Sequence, residues 1–235
     1  IYGICKVMSS IKEKSLSQLL FETPAITANE KLNLIYLDTL SSYAISLRGA
    51  KGGDIIVNFS INDSNFLNRE SVIKCFVNSS FSKLKTTKTK LNEIKIMFEN
   101  ILRRAINDIH GAICVVVDKD YKDKGFFADG IWLEEPIEFS KSFLMSKSYS
   151  EAKLTNIAEL FISMLNYDGI TIVDNMGRIR AYNVFIKPDK FSKKAITGGA
   201  RKRAAYAIIN SGTRKIVGVY FHSQEGEIFY EEVKK

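Results

Sequence analysis

The chain has 235 residues, 46% hydrophobic and 26% charged, with a formal net charge of +8. This is enough sequence for a real core, as one large domain or two small ones. No apolar run approaches the roughly eighteen residues that a membrane span needs. The basic balance favours anionic partners: nucleic acid, an anionic membrane surface or phosphorylated small molecules.

In chain order, "SLSQLLFETPAITANEKL" reads as a short helix, a break at Pro24 and a new helix start, where Thr27 and Glu30 have capping-box spacing. "GAKGGDIIVNFSIN", from Gly49 to Asn62, turns from glycines to alternating Ile, Val and Phe and predicts a strand. "SVIKCFVN" predicts a further short strand or helix. The region 88–109 predicts a helix, because Leu91, Ile94, Phe98, Ile101, Leu102, Ala105 and Ile109 recur at three and four residues. His110-Gly111 ends it, the glycine suiting a left-handed cap. "AICVVVDKD" follows as a β-branched, buried strand, and a helix feeding such a strand marks an α/β fold.

The second half repeats this grammar. "DGIWLEEPIEF" reads as a connection. "SYSEAKLTNIAELFISMLNYDG" reads as a helix, with Ser148 and Glu151 as a capping box and Leu154, Ile157, Phe161, Met164 and Leu165 on one face. "ITIVDNMGRIRAYNVFI" predicts a β-hairpin with "DNMG" as its turn. "KPDKFSKKAITGG" is a loop, and "ARKRAAYAIINS" a helix with Ala204, Ala205, Ile208 and Ile209 inward. "RKIVGVYFHSQEGEIFYEE" closes as two strands around "SQEG". The fold class is α/β: a mixed sheet with helices on both faces (residues 86–235), preceded by a smaller α+β lobe (residues 1–85).

Cys5, Cys75 and Cys114 are odd in number and lie among apolar neighbours, with neither zinc nor disulfide spacing. They read as small core hydrophobes, in keeping with a reducing, cytoplasmic setting. His110 and His222 have no ligand spacing, and no nucleophile elbow, P-loop or dinucleotide fingerprint is present.

The residues with chemical potential gather late in the chain. Gly198 and Gly199 precede a helix, whose free amides and positive dipole end suit an anion. Arg201 and Arg203 add bidentate donors and Lys202 a point charge. Cations at a helix start oppose its dipole, which argues that they serve a ligand. Asp168-Gly169 lies at a helix-to-strand junction, where a carboxylate can hold a metal or a hydroxyl. Ser223, Gln224 and Glu225 occupy a hairpin tip. The aromatic residues fit core positions, leaving no platform for bases.

The order "HGAICVVVD", "DGIWLEEPIEF", "YDGITIVDNMGRIRAYNVFI", "GGARKRAA" and "SQEG" resembles the diadenylate cyclase (DAC) domain family over roughly residues 88–235. That family joins two ATP molecules into cyclic di-AMP. Its Asp-Gly-Ala motif is matched by Asp168-Gly169-Ile170, and its Arg-His-Arg motif by Arg201-Lys202-Arg203. The resemblance implies that Asp168 holds Mg²⁺ or Mn²⁺ and helps to activate a 3′-hydroxyl. It implies that Gly169 lets base or sugar lie against backbone, and that Arg201 and Arg203, with the amides of Gly198 and Gly199, bind phosphates. Lys202, Ser223, Gln224 and Glu225 complete the expected nucleotide contacts, and facing domains imply a homo-oligomer. Two departures stand out: Ile170 replaces a small alanine and is expected to narrow the nucleotide slot, and Lys202 replaces a titratable ring. The first lobe is similar in style to two-lobed relatives thought to sense nucleotides, which also admits a fused or neighbouring effector. Three readings follow: a sensor of an adenine nucleotide or cyclic dinucleotide, an active cyclase, and a basic nucleic-acid-binding module.

Overall fold

The computed structural model describes residues 35–41, 44–49, 54–58, 65–123, 125–144, 151–190 and 198–233. The helices expected before residue 31, Cys5, Ser148 and residues 191–197 of the loop predicted before the last helix lie outside these residues. Strands β1 (Ile35–Ser41), β2 (Ala44–Gly49) and β3 (Asp54–Asn58) form a three-stranded antiparallel meander. The strand expected from Gly49 to Asn62 is realised as β3.

The larger sheet has seven strands: β4 (Gly111–Val117), β5 (Phe127–Ala128), β6 (Ile131–Glu138), β7 (Ile170–Asp174), β8 (Arg178–Ile186), β9 (Ile216–Ser223) and β10 (Ile228–Glu232). Their order is β10-β9-β4-β7-β8-β5, with β6 also paired to β8. Among the described strand pairs of this sheet only β4 and β7 run parallel; the others are antiparallel. This is the expected mixed α/β sheet. All seven residues of β4 are buried, as a strand covered on both faces must be.

Helices α1 (Asn65–Ser80), α2 (Lys88–Asp108), α3 (Phe139–Leu144) and α4 (Glu151–Leu165) contribute to the core on one face. Phe76, Phe98, Phe139 and Phe161 pack there with Cys114, Val116 and Tyr220. Helix α5 (Ala200–Ile209) covers the other face, where Ala205, Ile208 and Ile209 meet Val115, Ile172 and Phe221. The period-2 alternation of the strands therefore feeds two cores. "SVIKCFVN" resolves as helix: Val72, Ile73, Phe76, Val77 and Ser80 are buried at helical spacing. The boundary expected near residue 85 falls between α1 and α2, two helices that share one core.

Several details depart from expectation. "IWLEEPIE" is a strand, β6, and not a bare connection; its pairing with β8 shifts between Trp132 and Ile137, a stretch that holds Pro136. Helix α2 ends at an extended Ile109, and Gly111 opens β4 at φ 123° instead of capping the helix. Cys75 is exposed on α1, so only Cys114 of the two described cysteines is a core residue; burial pushes its thiol pKa up.

Candidate functional site

Parallel pairing of β4 and β7 brings two chain segments to one end of the sheet: the α4–β7 junction, with Asp168, and the α2–β4 junction, with His110. β9 runs antiparallel to β4, so its last residues, His222 and Ser223, reach the same end. Helix α5 starts there too. Its first-turn Arg201 donates from Nη2 to Asp168 Oδ1 at 2.7 Å, across 33 residues of chain. The Asp168 side chain is 92% exposed and Arg201 32%, so the pair stands at a rim.

Gly199 is the N-cap of α5, extended at φ −63°, ψ 169°, and offers no side chain to cap the helix. Gly198 holds φ 132°, a conformation that favours glycine. Both are exposed, so the helix start presents backbone, as an anion site requires. Arg203 is exposed and, among the described residues, its guanidinium has no ion-pair partner. Lys202 points elsewhere: its Nζ lies 2.7 Å from Glu227 Oε1, and that carboxylate raises the lysine pKa. Two of the three cations that oppose the helix dipole are thus matched by carboxylates brought in from other elements.

The hairpin tip is held by its own backbone. Ser223 N–H donates to the Glu227 carbonyl at 2.8 Å, and Ser223 Oγ accepts from Glu227 N at 3.1 Å. Gln224 and Glu225 are exposed beside it. Glu227, the actual partner of Lys202, carries no sequence signal beyond its place two residues after Glu225.

Gly169 has a packing reason of its own. It is buried, and a Cβ there would lie 2.4 Å from the Asn183 carbonyl carbon. The close neighbour is β8, where Asn183 adopts φ 53° at a register shift opposite β7. Ile170 is a core residue. It is 3% exposed, in the α5-side core.

Tyr167, next to Asp168, is 51% exposed, and its ring lies 5.6 Å from that of Tyr182. This aromatic surface corrects the expectation that Tyr and Phe are all bound in the core; Trp132 and Phe185 are exposed as well. Tyr167 is legible as a surface residue from its place two positions past Leu165, the last apolar residue of α4.

Among the described residues no group of three or more His, Cys, Asp or Glu side chains converges on a metal site. At the rim the donor set is the Asp168 carboxylate, with Oδ1 already engaged by Arg201. Magnesium bound to proteins takes near-octahedral oxygen coordination, commonly one or two carboxylates plus phosphates and water. These residues do not build a metal centre of their own.

Among the described residues no helix is long and apolar enough to cross a membrane. The chain matches no protein-family profile and no curated protein sequence.

Proposed function

We propose that the chain binds an adenine nucleotide or cyclic dinucleotide at the start of α5 and uses it as a signal. The observation that carries this reading is the 2.7 Å contact of Arg201 with Asp168, beside a helix start made of two glycines. A phosphate arriving there meets backbone N–H groups, the positive end of the helix and the Arg203 guanidinium. It also competes with Asp168 for Arg201. Binding therefore exchanges one partner of Arg201 for another, and a ligand that favours one arrangement shifts the population towards it. Tyr167 offers a ring face to the base. The same reading takes the working form to be a homo-oligomer, with sites facing one another.

The test is to incubate the protein with ATP and Mn²⁺, assay cyclic di-AMP by mass spectrometry, and measure binding of both nucleotides by calorimetry. The expected result is saturable binding without product, with affinity at least about tenfold weaker in Arg201→Ala, as loss of a charged hydrogen bond implies. Abundant product, abolished in Asp168→Asn, would establish the cyclase instead. Tight oligonucleotide binding with a steep salt slope, and no nucleotide binding, would favour the nucleic-acid module.

A further inference from the structure

A second recess lies on the opposite face of the same sheet end. It is a cavity of about 230 Å³, walled by Arg69 of α1, Ile106 and Ile109 of α2, His110, and residues of the β9–β10 hairpin including His222 and Gln224. Pockets that hold drug-sized ligands run to roughly 300–1,000 Å³. This one suits something smaller than a nucleotide. The alternation of β9 separates it from α5: Val219 and Phe221 face α5, whereas Tyr220 and His222 face α1 and α2.

His222 is only 4% exposed, and its Nε2 has no hydrogen-bond partner. Its Nδ1 lies 3.3 Å from the hydroxyl of Tyr220, itself 1% exposed. Burial raises the phenol pKa, so the hydroxyl keeps its proton. Nδ1 is the hydroxyl's only hydrogen-bond partner among the described residues, and with the hydroxyl donating, Nδ1 accepts. The second ring nitrogen then carries the N–H of the neutral tautomer. The Ile109 carbonyl lies near enough to favour the charged ring, yet no acceptor is in hydrogen-bonding geometry with Nε2. A buried donor whose one nearby acceptor, the Ile109 carbonyl, is poorly aligned is costly. Arg69, half-buried in the same wall, has no hydrogen bond or ion pair from its side chain among the described residues.

A neutral ring N–H and an unmatched guanidinium both call for an acceptor, and the guanidinium for a negative one. We propose that this cavity is a binding site for a compact phosphate group, received by Arg69 and by Nε2–H of His222. The site is separate from the nucleotide rim, and the proposal does not rest on that reading. The hairpin joins the two places: Ser223 and Gln224 adjoin the cavity, and Glu227 holds Lys202 of α5.

The test is a titration of the ¹⁵N-labelled full chain with inorganic phosphate, read at the histidine ring nitrogens by long-range ¹H–¹⁵N correlation. Acetate serves as the carboxylate comparison. The expected result is a saturable shift of the His222 resonances with phosphate, at least tenfold weaker in Arg69→Ala, partly restored in Arg69→Lys, and weaker with acetate. Thermal melts of both variants guard against loss of fold. An unmoved His222, an equal response to acetate, or a response unchanged in folded Arg69→Ala would overturn the proposal. The nucleotide rim is followed separately, at the amides of Gly198 and Gly199, so failure of either site leaves the other readable.

Discussion

The two ends of β7 carry the same chemistry in opposite surroundings. At its far end Asp174 is wholly buried. It accepts from Arg178 Nε at 2.7 Å, from Arg180 Nη1 at 3.3 Å, and from the backbone N–H groups of Met176 and Arg178. Just before its near end Asp168 is 92% exposed and paired with Arg201. Buried and fully hydrogen-bonded, the first pair closes the β7–β8 turn and has no lone pair to spare for a ligand. The second contributes little to folding, because exposed ion pairs are worth about 0–1 kcal/mol. A carboxylate and a guanidinium drawn from distant parts of the chain to a rim, with little gain in stability, are placed where a ligand can reach them.

The largest expected effect falls at the buried end. Asp174→Ala leaves Arg178 and Arg180 without their carboxylate, with only the Lys119 carbonyl as a remaining acceptor, and the Met176 and Arg178 N–H groups without theirs, and should cost about 2–4 kcal/mol in urea denaturation. A loss below 1 kcal/mol would erase the contrast. Next comes pH at the near end. Burial lowers the His222 pKa to about 4, with the Arg201 and Arg69 charges acting in the same direction, against 6.5 for an ordinary histidine. Between these values the unfolded chain binds the proton and the folded chain does not. Stability should therefore fall as pH drops from 6.5 to 4, by on the order of 3 kcal/mol, with no such contribution above 6.5. The difference between wild type and His222→Gln across pH 7, 5.5 and 4.5 isolates it.

The glycines give the third comparison. Gly169→Ala drives a Cβ into the backbone of Asn183 and Val184 and should cost about 1–3 kcal/mol. A Cβ at Gly199 meets nothing within 4 Å, so Gly199→Ala should cost less than about 1 kcal/mol in thermal denaturation. If the two substitutions cost the same, Gly169 is not held by β8. The smallest effect belongs to Asp168→Asn: a stability change within about 1 kcal/mol, together with a changed nucleotide response.

What the sequence reveals depends on how local the physics is. Helix α2 is legible because a single face serves a single core: Ile94, Phe98, Ile101, Leu102 and Ala105 are all buried. The β7–β8 hairpin is legible from its turn, where Gly177 takes φ 73°. Helix α1 is ambiguous because its buried residues are β-branched and aromatic, types that also favour strands. Strand β6 is hidden because it pairs only with β8 and is largely exposed, so no alternation marks it.

At the site, Asp168 and Arg201 can be picked out by residue type and position. That they touch is a property of the parallel β4–β7 pairing and cannot be read from either motif. Lys202 pairing with Glu227, and Gly169 packing under Asn183, are long-range contacts of the same kind. His222 and Arg69 carry no sequence signal at all, because their importance comes from burial and from a missing partner.

The most direct test of the central claim is calorimetric titration of cyclic di-AMP and ATP into wild type and Arg201→Ala under identical salt. The account predicts saturable binding in the wild type and affinity at least about tenfold weaker in the variant, with both proteins equally folded. Identical isotherms for the two, or no heat of binding in either, would contradict it.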